Sequence, residues 1–172
     1  MKIRLALLTL VVFALPAFAA DVRTSAPPSN ASAAFERMKS LVGQWDADTT
    51  MGKFHLTYEL VSGGHVLLEH FNGESMHENM VTTYYLEGDK LALTHYCHLG
   101  NAPHMVARKI DLDSGELDFD FADAANLASD QGRHMHSAAM RLVDADHFTS
   151  AWTLYENAKP KFTVTAQYAR TR

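Results

Sequence analysis

Histidines are concentrated at two places in the sequence, and both have the spacing of a binding site. Three of the ten histidines, together with the only cysteine, Cys97, lie between Leu93 and His104. His134 and His136 form a second group, separated by one residue. Imidazole and thiolate are ligands that suit zinc or copper. The same groups could act as general acids or bases, or orient a bound molecule.

Strand alternation predicts which way these groups point. The residues that share a face with His95 and Cys97 are mostly apolar, and so are those that share a face with His134 and His136. Arg141 falls on the opposite face, and a one-residue slip would bury it. Residues two apart on a strand are roughly 6.6 Å apart. We therefore expect His95, His134 and His136 to face the interior, where they, with Cys97 as a further candidate, could ligate one metal ion or haem iron. The alternative is that these are interior polar groups satisfied by hydrogen bonds.

The elements that must position these residues are short strands. From Trp45 onward, apolar and polar residues alternate with period two, and a turn signal follows every several residues. Gly88-Asp89 is typical of a tight hairpin turn. The pattern predicts an all-β, antiparallel up-and-down barrel of about ten strands, with a β-sandwich as the alternative. It also predicts a short N-terminal helix over Ala33 to Val42, with Ser32 as N-cap, and a short helix after Asp123.

The first residues have the pattern of a secretory signal peptide. A basic start is followed by an apolar run, Leu5 to Leu15, and by Ala17-Phe18-Ala19, a typical cleavage site. That run is too short to span a bilayer, which argues against a membrane anchor. We therefore expect a signal peptide over 1–20, a flexible leader over 21–32 and a barrel domain over 33–172. The mature protein is expected to be periplasmic or secreted.

The net charge and the cysteine content limit which kinds of binding partner are expected. The formal charge is −5, and loss of Lys2 and Arg4 with the signal peptide makes it about −7. Nucleic acids and anionic membranes bind clustered basic residues, so neither is an expected partner. One cysteine cannot form an internal disulfide. A small-molecule ligand remains the expected partner, and the sequence does not set the oligomeric state.

Several motifs resemble a known group of proteins. The helix followed by Gly43-x-Trp45 resembles the start of lipocalin-like, or calycin, barrels. The wider set is similar to a family of uncharacterised exported bacterial proteins of lipocalin-like type. That resemblance implies a barrel fold and an exported location, and it implies no reaction. The nitrobindin-type haem barrels are a more distant analogy, through Leu41 to Trp45 only. The wider set comprises His95-Tyr96-Cys97-x-x-Gly100-Asn101-x-Pro103, Phe119-Asp120-Phe121-x-Asp123-Ala124-x-Asn126, His134-Met135-His136, Asp144-Ala145-Asp146-His147 and Trp152.

We interpret the protein as an exported lipocalin-like binding protein for a small, mainly apolar ligand in the barrel lumen. The alternative is a metal- or haem-binding barrel, or a metal-dependent enzyme that uses His95, His134 and His136. A third interpretation is a non-catalytic envelope or interaction protein. Glu69 could supply a general base, but its spacing does not distinguish it from a solvated rim, and no catalytic signature is present. The predicted ligand-binding residues are Trp45, Tyr58, Tyr84, His95, Cys97, Asn101, Phe119, His134, His136 and Trp152.

Overall fold

The alternating pattern forms ten strands, and each pairs with the next in antiparallel order. The computed structural model describes residues 29–49, 51–73, 76–129 and 131–171. The last strand pairs with the first, which closes the sheet into a barrel and confirms the predicted fold class. The strands, numbered β1 to β10, are Gly43–Thr49, Gly52–Val61, Val66–Gly73, Met76–Glu87, Lys90–Tyr96, Ala102–Asp111, Glu116–Ala125, His134–Leu142, His147–Glu156 and Lys159–Arg170.

The inward positions of the strands form the core. Phe54, Leu56 and Tyr58 of β2 are each only 2% exposed, while the residues between them are partly exposed. Leu117 and Phe119 repeat this alternation on β7. Burying one large apolar side chain contributes about 1.5–3 kcal/mol. The period-two pattern is therefore strong enough to fix which face of each strand lies inside.

A short helix precedes the barrel. Helix α1 spans Asn30–Met38 and continues as a 3-10 turn, Lys39–Leu41. The N-cap is Ser29, whose hydroxyl accepts a hydrogen bond from the Ser32 amide at 3.2 Å. The predicted start at Ala33 with a Ser32 cap is therefore wrong. Both serines have the chemistry of a cap, but the earlier one lets another turn of the helix form.

Helix α1 covers one end of the barrel. The Arg37 guanidinium donates to the carbonyls of Leu112, just after β6, and Leu142, at the end of β8. The Trp45 indole N–H donates to the Leu41 carbonyl at 2.7 Å. In an up-and-down barrel these positions meet at one end, which we call the helix end. The turns after β5, β7 and β9 meet at the other, which we call the far end.

Arg170 joins three segments at the helix end. Its guanidinium donates to the carbonyls of Ala145 at 3.0 Å, Val42 at 2.9 Å and Ser40 at 2.7 Å. It also lies 4.1 Å from the centre of the Trp45 ring, a cation–π distance. The side chain therefore links the last strand to the 3-10 turn and to the β8–β9 turn.

Two further sequence predictions concern the segment after Asp123 and the N-terminal residues. No helix follows Asp123, because β7 continues to Ala125, where it pairs with Ala102 of β6. Pairing with a neighbouring strand here prevails over a local capping signal. The predicted signal peptide and residues 21–28 of the predicted leader lie outside the described residues. Within the described residues, no helix is long and apolar enough to span a membrane.

Candidate functional site

A row of polar side chains lies along the inner wall of the barrel, on four consecutive strands. Tyr58, Glu69, Thr82 and His95 are successive cross-strand partners on β2, β3, β4 and β5. Directly opposite residues place their side chains on the same face of a sheet. Each of the four is at most 5% exposed. We call these four residues the lumen ladder.

Glu69 is the centre of the ladder. Tyr58 donates its hydroxyl hydrogen to Glu69 Oε2 at 2.5 Å, and Tyr84 donates to the same oxygen at 2.9 Å. Thr82 Oγ1 lies 3.4 Å from Glu69 Oε1. Three hydroxyl donors on one carboxyl group are an arrangement that stabilises the ionised form.

Burial and hydrogen bonding act on Glu69 in opposite directions. Burial raises the pKa of the Glu69 carboxyl, while the hydrogen bonds from Tyr58, Tyr84 and Thr82 lower it, and the net pKa is raised. Burial also raises the pKa of Tyr58 and of Tyr84 well above the usual tyrosine range, and the adjacent Glu69 charge adds to this. Both tyrosines therefore keep their hydroxyl hydrogens, which they donate to Glu69.

His95 ends the ladder with one ring nitrogen bonded and the other not. Nδ1 lies 2.9 Å from Thr82 Oγ1, and the ring centre lies 5.0 Å from that of Trp152. Nε2 is buried and has no hydrogen-bond partner. Burial, followed by the nearby His98, lowers the pKa of His95 to about 4. The ring is therefore neutral at neutral pH.

The ladder adjoins a cavity inside the barrel. The cavity volume is about 60 Å³, enough for about four water molecules at roughly 15 Å³ each. Three of the lining side chains are methionines, which adapt their shape readily. The cavity is thus small and mainly apolar, with a polar edge. It is lined by Phe54, Leu56, Tyr58, Glu69, Phe71, Met80, Tyr84, His95, Met135, Met140, Phe148, Ser150, Trp152, Val164, Ala166 and Tyr168.

The cavity collects some of the predicted ligand-binding residues and excludes others. His95 and Trp152 line it together with Tyr58 and Tyr84. The remaining predicted residues on β1, β7 and the β5–β6 turn are buried elsewhere in the barrel. Those residues are Trp45, Phe119, Cys97 and Asn101.

Cys97 and Asn101 have a structural role at the far end. The Cys97 amide donates to the Asn101 carbonyl at 3.1 Å, which closes the β5–β6 turn. The Asn101 side-chain amide donates to the Arg133 carbonyl at 2.7 Å. These bonds connect two loops of the far end and do not involve the cavity.

The histidine pair on β8 lines a pocket separate from the lumen cavity that His95 lines. A β-bulge between Met135 and Ser137 makes His136 an extra residue. Met135 pairs with the buried Leu154 and lines the lumen cavity, whereas His134 pairs with Tyr155, is only 2% exposed and lies 4.6 Å, centre to centre, from the Phe121 ring. The pair lines a second pocket of about 430 Å³ with Phe121, Ala122, Tyr155 and Ala158.

Hydrogen bonds fix the proton positions in this pair. The Gly132 carbonyl can only accept, so His134 Nδ1 carries a hydrogen and donates to it at 2.8 Å. In neutral His134 the other nitrogen, Nε2, then accepts from His136 Nδ1 at 3.0 Å. Partial burial and the neighbouring His134 lower the pKa of His136.

The structure does not bring the three predicted histidines into one pocket. His95 lines the lumen cavity and the other two line the second pocket. Among the described residues, no group of three or more His, Cys, Asp or Glu side chains has a metal-binding arrangement. A haem is also far larger than the lumen cavity, since ligand pockets for molecules of that class measure several hundred Å³.

Glu69 is the residue whose position sequence reasoning did not resolve. The sequence offers it as a general base but does not distinguish it from a solvated rim, because carboxylates are rarely buried. The signal that could identify it is alternation, because Leu67 and Phe71 of β3 share its face and are both buried. A glutamate at an inward position of a strand needs internal partners. Inward tyrosines on adjacent strands would supply them.

Comparison with known proteins adds little beyond the strand pairing. No family model matches the sequence, and no curated protein matches it. Among solved structures, the chain is similar to a protein of unknown function from the DUF3598 family of Nostoc punctiforme PCC 73102, with 13% identity and a TM-score of 0.43. The similarity covers 78% of this chain and 48% of that chain, so this chain spans about half its length.

Proposed function

We propose that this protein is an exported, lipocalin-like binding barrel whose lumen holds a small, mainly apolar ligand with one polar group. The observation that carries the proposal is His95, which is neutral, buried and without a partner at Nε2, at the edge of an apolar cavity. Pockets of this kind combine apolar walls with a few placed polar groups that orient the ligand. The ladder supplies that polar edge.

Cavity size limits the ligand. A cavity of about 60 Å³ is smaller than the roughly 150 Å³ cavity that accepts benzene. Met80, Met135 and Met140 line the cavity, and their unbranched side chains can change rotamer to enlarge it. A ligand of a few carbon atoms fits this arrangement better than a drug-sized molecule.

Methionine methyl groups offer a direct test of lumen binding. Protein labelled at the methionine methyl carbons would be titrated with cyclopentanol, a small apolar ring with one hydroxyl, and followed by NMR. The methyl signals of Met80, Met135 and Met140 should shift, because these side chains line the cavity. Met38, the last residue of helix α1, is fully buried and does not line the cavity, so its signal should not shift.

A matched pair of variants locates the site. Ala166 is buried and lines the cavity, whereas Ala169 of the same strand is exposed. Ala166→Leu should fill the cavity and abolish the shifts, and Ala169→Leu should preserve them. Circular dichroism would show that both variants are folded. Shifts that persist in folded Ala166→Leu, or that never occur in the wild type, would contradict lumen binding.

Export is part of the proposal and has its own test. It is supported by Lys2 and Arg4, the apolar run after them, and the cleavage pattern Ala17-Phe18-Ala19. Intact-mass measurement on protein from its own host should show a chain that lacks about 20 residues, found in the periplasm or medium. A full-length chain in the cytoplasm would contradict export. Native mass spectrometry of the same sample would show whether a small molecule is retained.

A further inference from the structure

We propose that His95 Nε2 accepts a hydrogen bond from the ligand, so that the lumen selects small neutral alcohols over ketones and ethers of the same size. This inference rests on the proposed lumen binding and specifies the chemistry of the ligand. It depends on where one hydrogen atom lies in the ladder.

Thr82 has one hydroxyl hydrogen and two neighbours that could accept it. One neighbour is Glu69 Oε1 at 3.4 Å, and the other is His95 Nδ1 at 2.9 Å. Glu69 Oε1 can only accept when the carboxyl is ionised, whereas Nδ1 of a neutral histidine can either donate or accept. When Glu69 is ionised, only one assignment therefore lets Thr82 donate to one neighbour and accept from the other.

In that assignment Thr82 donates to Glu69 and accepts from the N–H at His95 Nδ1. The bond to the carboxylate is charge-assisted, which makes it stronger than a bond between neutral groups. The reverse assignment would leave Glu69 Oε1 without its donor and place an N–H at His95 Nε2, buried and unbonded. Unpaired buried N–H groups are rarer than under-satisfied acceptors, because desolvating them is costly.

The unbonded Nε2 is therefore a lone pair and not a donor. The tyrosine hydroxyls beside Glu69 do not change this, because Tyr58 and Tyr84 both donate to Glu69 Oε2. Elsewhere in the cavity, the side chains of Tyr168 and Ser150 are hydrogen-bonded to each other. Burial raises the pKa of Tyr168, the bond with Ser150 opposes that rise, and the net pKa is raised. A ligand hydroxyl satisfies Nε2 by donating to it, whereas a ketone or ether presents a second acceptor.

The proton position can be read without any ligand. Nitrogen-15 NMR of the imidazole rings distinguishes a nitrogen that carries hydrogen from one that does not. In the wild-type protein at neutral pH we expect His95 to carry its hydrogen on Nδ1. A hydrogen on Nε2 would overturn the inference even if small molecules bind in the lumen.

Binding of two matched probes gives the second test. Cyclopentanol and cyclopentanone have the same ring and differ in whether they can donate a hydrogen bond. With the methionine methyl signals of Met80, Met135 and Met140 as the readout, cyclopentanol should bind about tenfold more tightly, the effect of one unsatisfied buried acceptor. Equal binding, or tighter binding of the ketone, would overturn the inference and leave lumen binding intact. Failure of both probes would overturn lumen binding and this inference with it.

Thr82→Val tests the position of the His95 hydrogen without changing a residue that lines the cavity. Thr82 does not line the cavity, but its removal takes away the acceptor of the His95 Nδ1 hydrogen. The preference for the alcohol should fall to within about twofold of equal binding, in the range of a lost neutral hydrogen bond. Thr83→Val, the same chemical change one residue along on the outer face, should retain the tenfold preference. An unchanged preference in Thr82→Val would contradict the relay from Glu69 to His95.

Discussion

Acid should destabilise this barrel through His95, and the effect can be isolated with His95→Leu. His95 is only 5% exposed, and burial lowers its pKa to about 4 from the ordinary value of 6.5. Below pH 6.5 the unfolded chain binds a proton at this residue and the folded protein does not. The free energy of unfolding therefore decreases as the pH is lowered. The fall continues to about pH 4, below which both states are protonated. At 1.36 kcal/mol per pH unit, this window amounts to about 3 kcal/mol.

Urea unfolding of wild type and His95→Leu between pH 7.5 and pH 4 would measure this effect, with tryptophan fluorescence as the signal. The difference in the free energy of unfolding between the two proteins should shift by about 3 kcal/mol in favour of the variant as the pH falls. Glu69 acts in the opposite direction, because its raised pKa lets the folded state bind a proton first. That contribution is present in both proteins and cancels in the difference.

An exposed histidine supplies the control. His65 lies in the turn before β3 and is exposed, so His65→Leu should keep the wild-type pH dependence. Parallel curves for wild type and His95→Leu would refute the reasoning. They would mean that the folded state protonates His95 as readily as the unfolded chain does.

Three further predictions concern other parts of the barrel. Arg170→Lys should lower the free energy of unfolding by about 1–3 kcal/mol in urea, because lysine cannot reproduce the three carbonyl bonds of the guanidinium; an unchanged midpoint would show that the guanidinium is dispensable. Gly115→Ala should lower the melting temperature by at least about 2–4 °C, because a Cβ at φ +76° would lie 2.4 Å from the Leu142 carbonyl oxygen; an unchanged melting temperature would contradict this. Replacing both His134 and His136 by alanine should leave the cyclopentanol shifts unchanged, because the pair lines a separate pocket; loss of the shifts would place the pair in the lumen site.

The strands could be predicted from the sequence because their signals are local. Gly88 has φ +63° in the turn between β4 and β5, as the Gly-Asp hairpin signal requires. On β8, Arg141 is exposed while Met140 and Leu142 are buried, which confirms the predicted register for that half of the strand. The predicted helix after Asp123 was wrong because the conformation of this segment depends on a partner strand, which local capping chemistry does not reveal.

The site was less predictable because it depends on irregularity and on cross-strand partners. One extra residue at His136 interrupts the alternation, so the register that holds at Met140 does not carry over to His134. The inward position of Glu69 was not predicted for a different reason, because glutamate is usually exposed and this outweighed its place in the strand pattern. Its partners Tyr58 and Thr82 come from neighbouring strands, and only the pairing register shows that the three lie side by side.

The ladder also explains why this lumen differs from an ordinary core. Replacing buried charged and polar groups with apolar residues of similar volume is often neutral or stabilising, so the ladder is not required for a stable barrel. Tyr58, Tyr84 and Thr82 all donate to Glu69, and one buried ladder atom, His95 Nε2, has no partner. An unsatisfied buried acceptor costs about 1–3 kcal/mol. Under the proposal, a ligand hydroxyl that donates to Nε2 removes that cost, and the free energy regained contributes to both binding and selectivity.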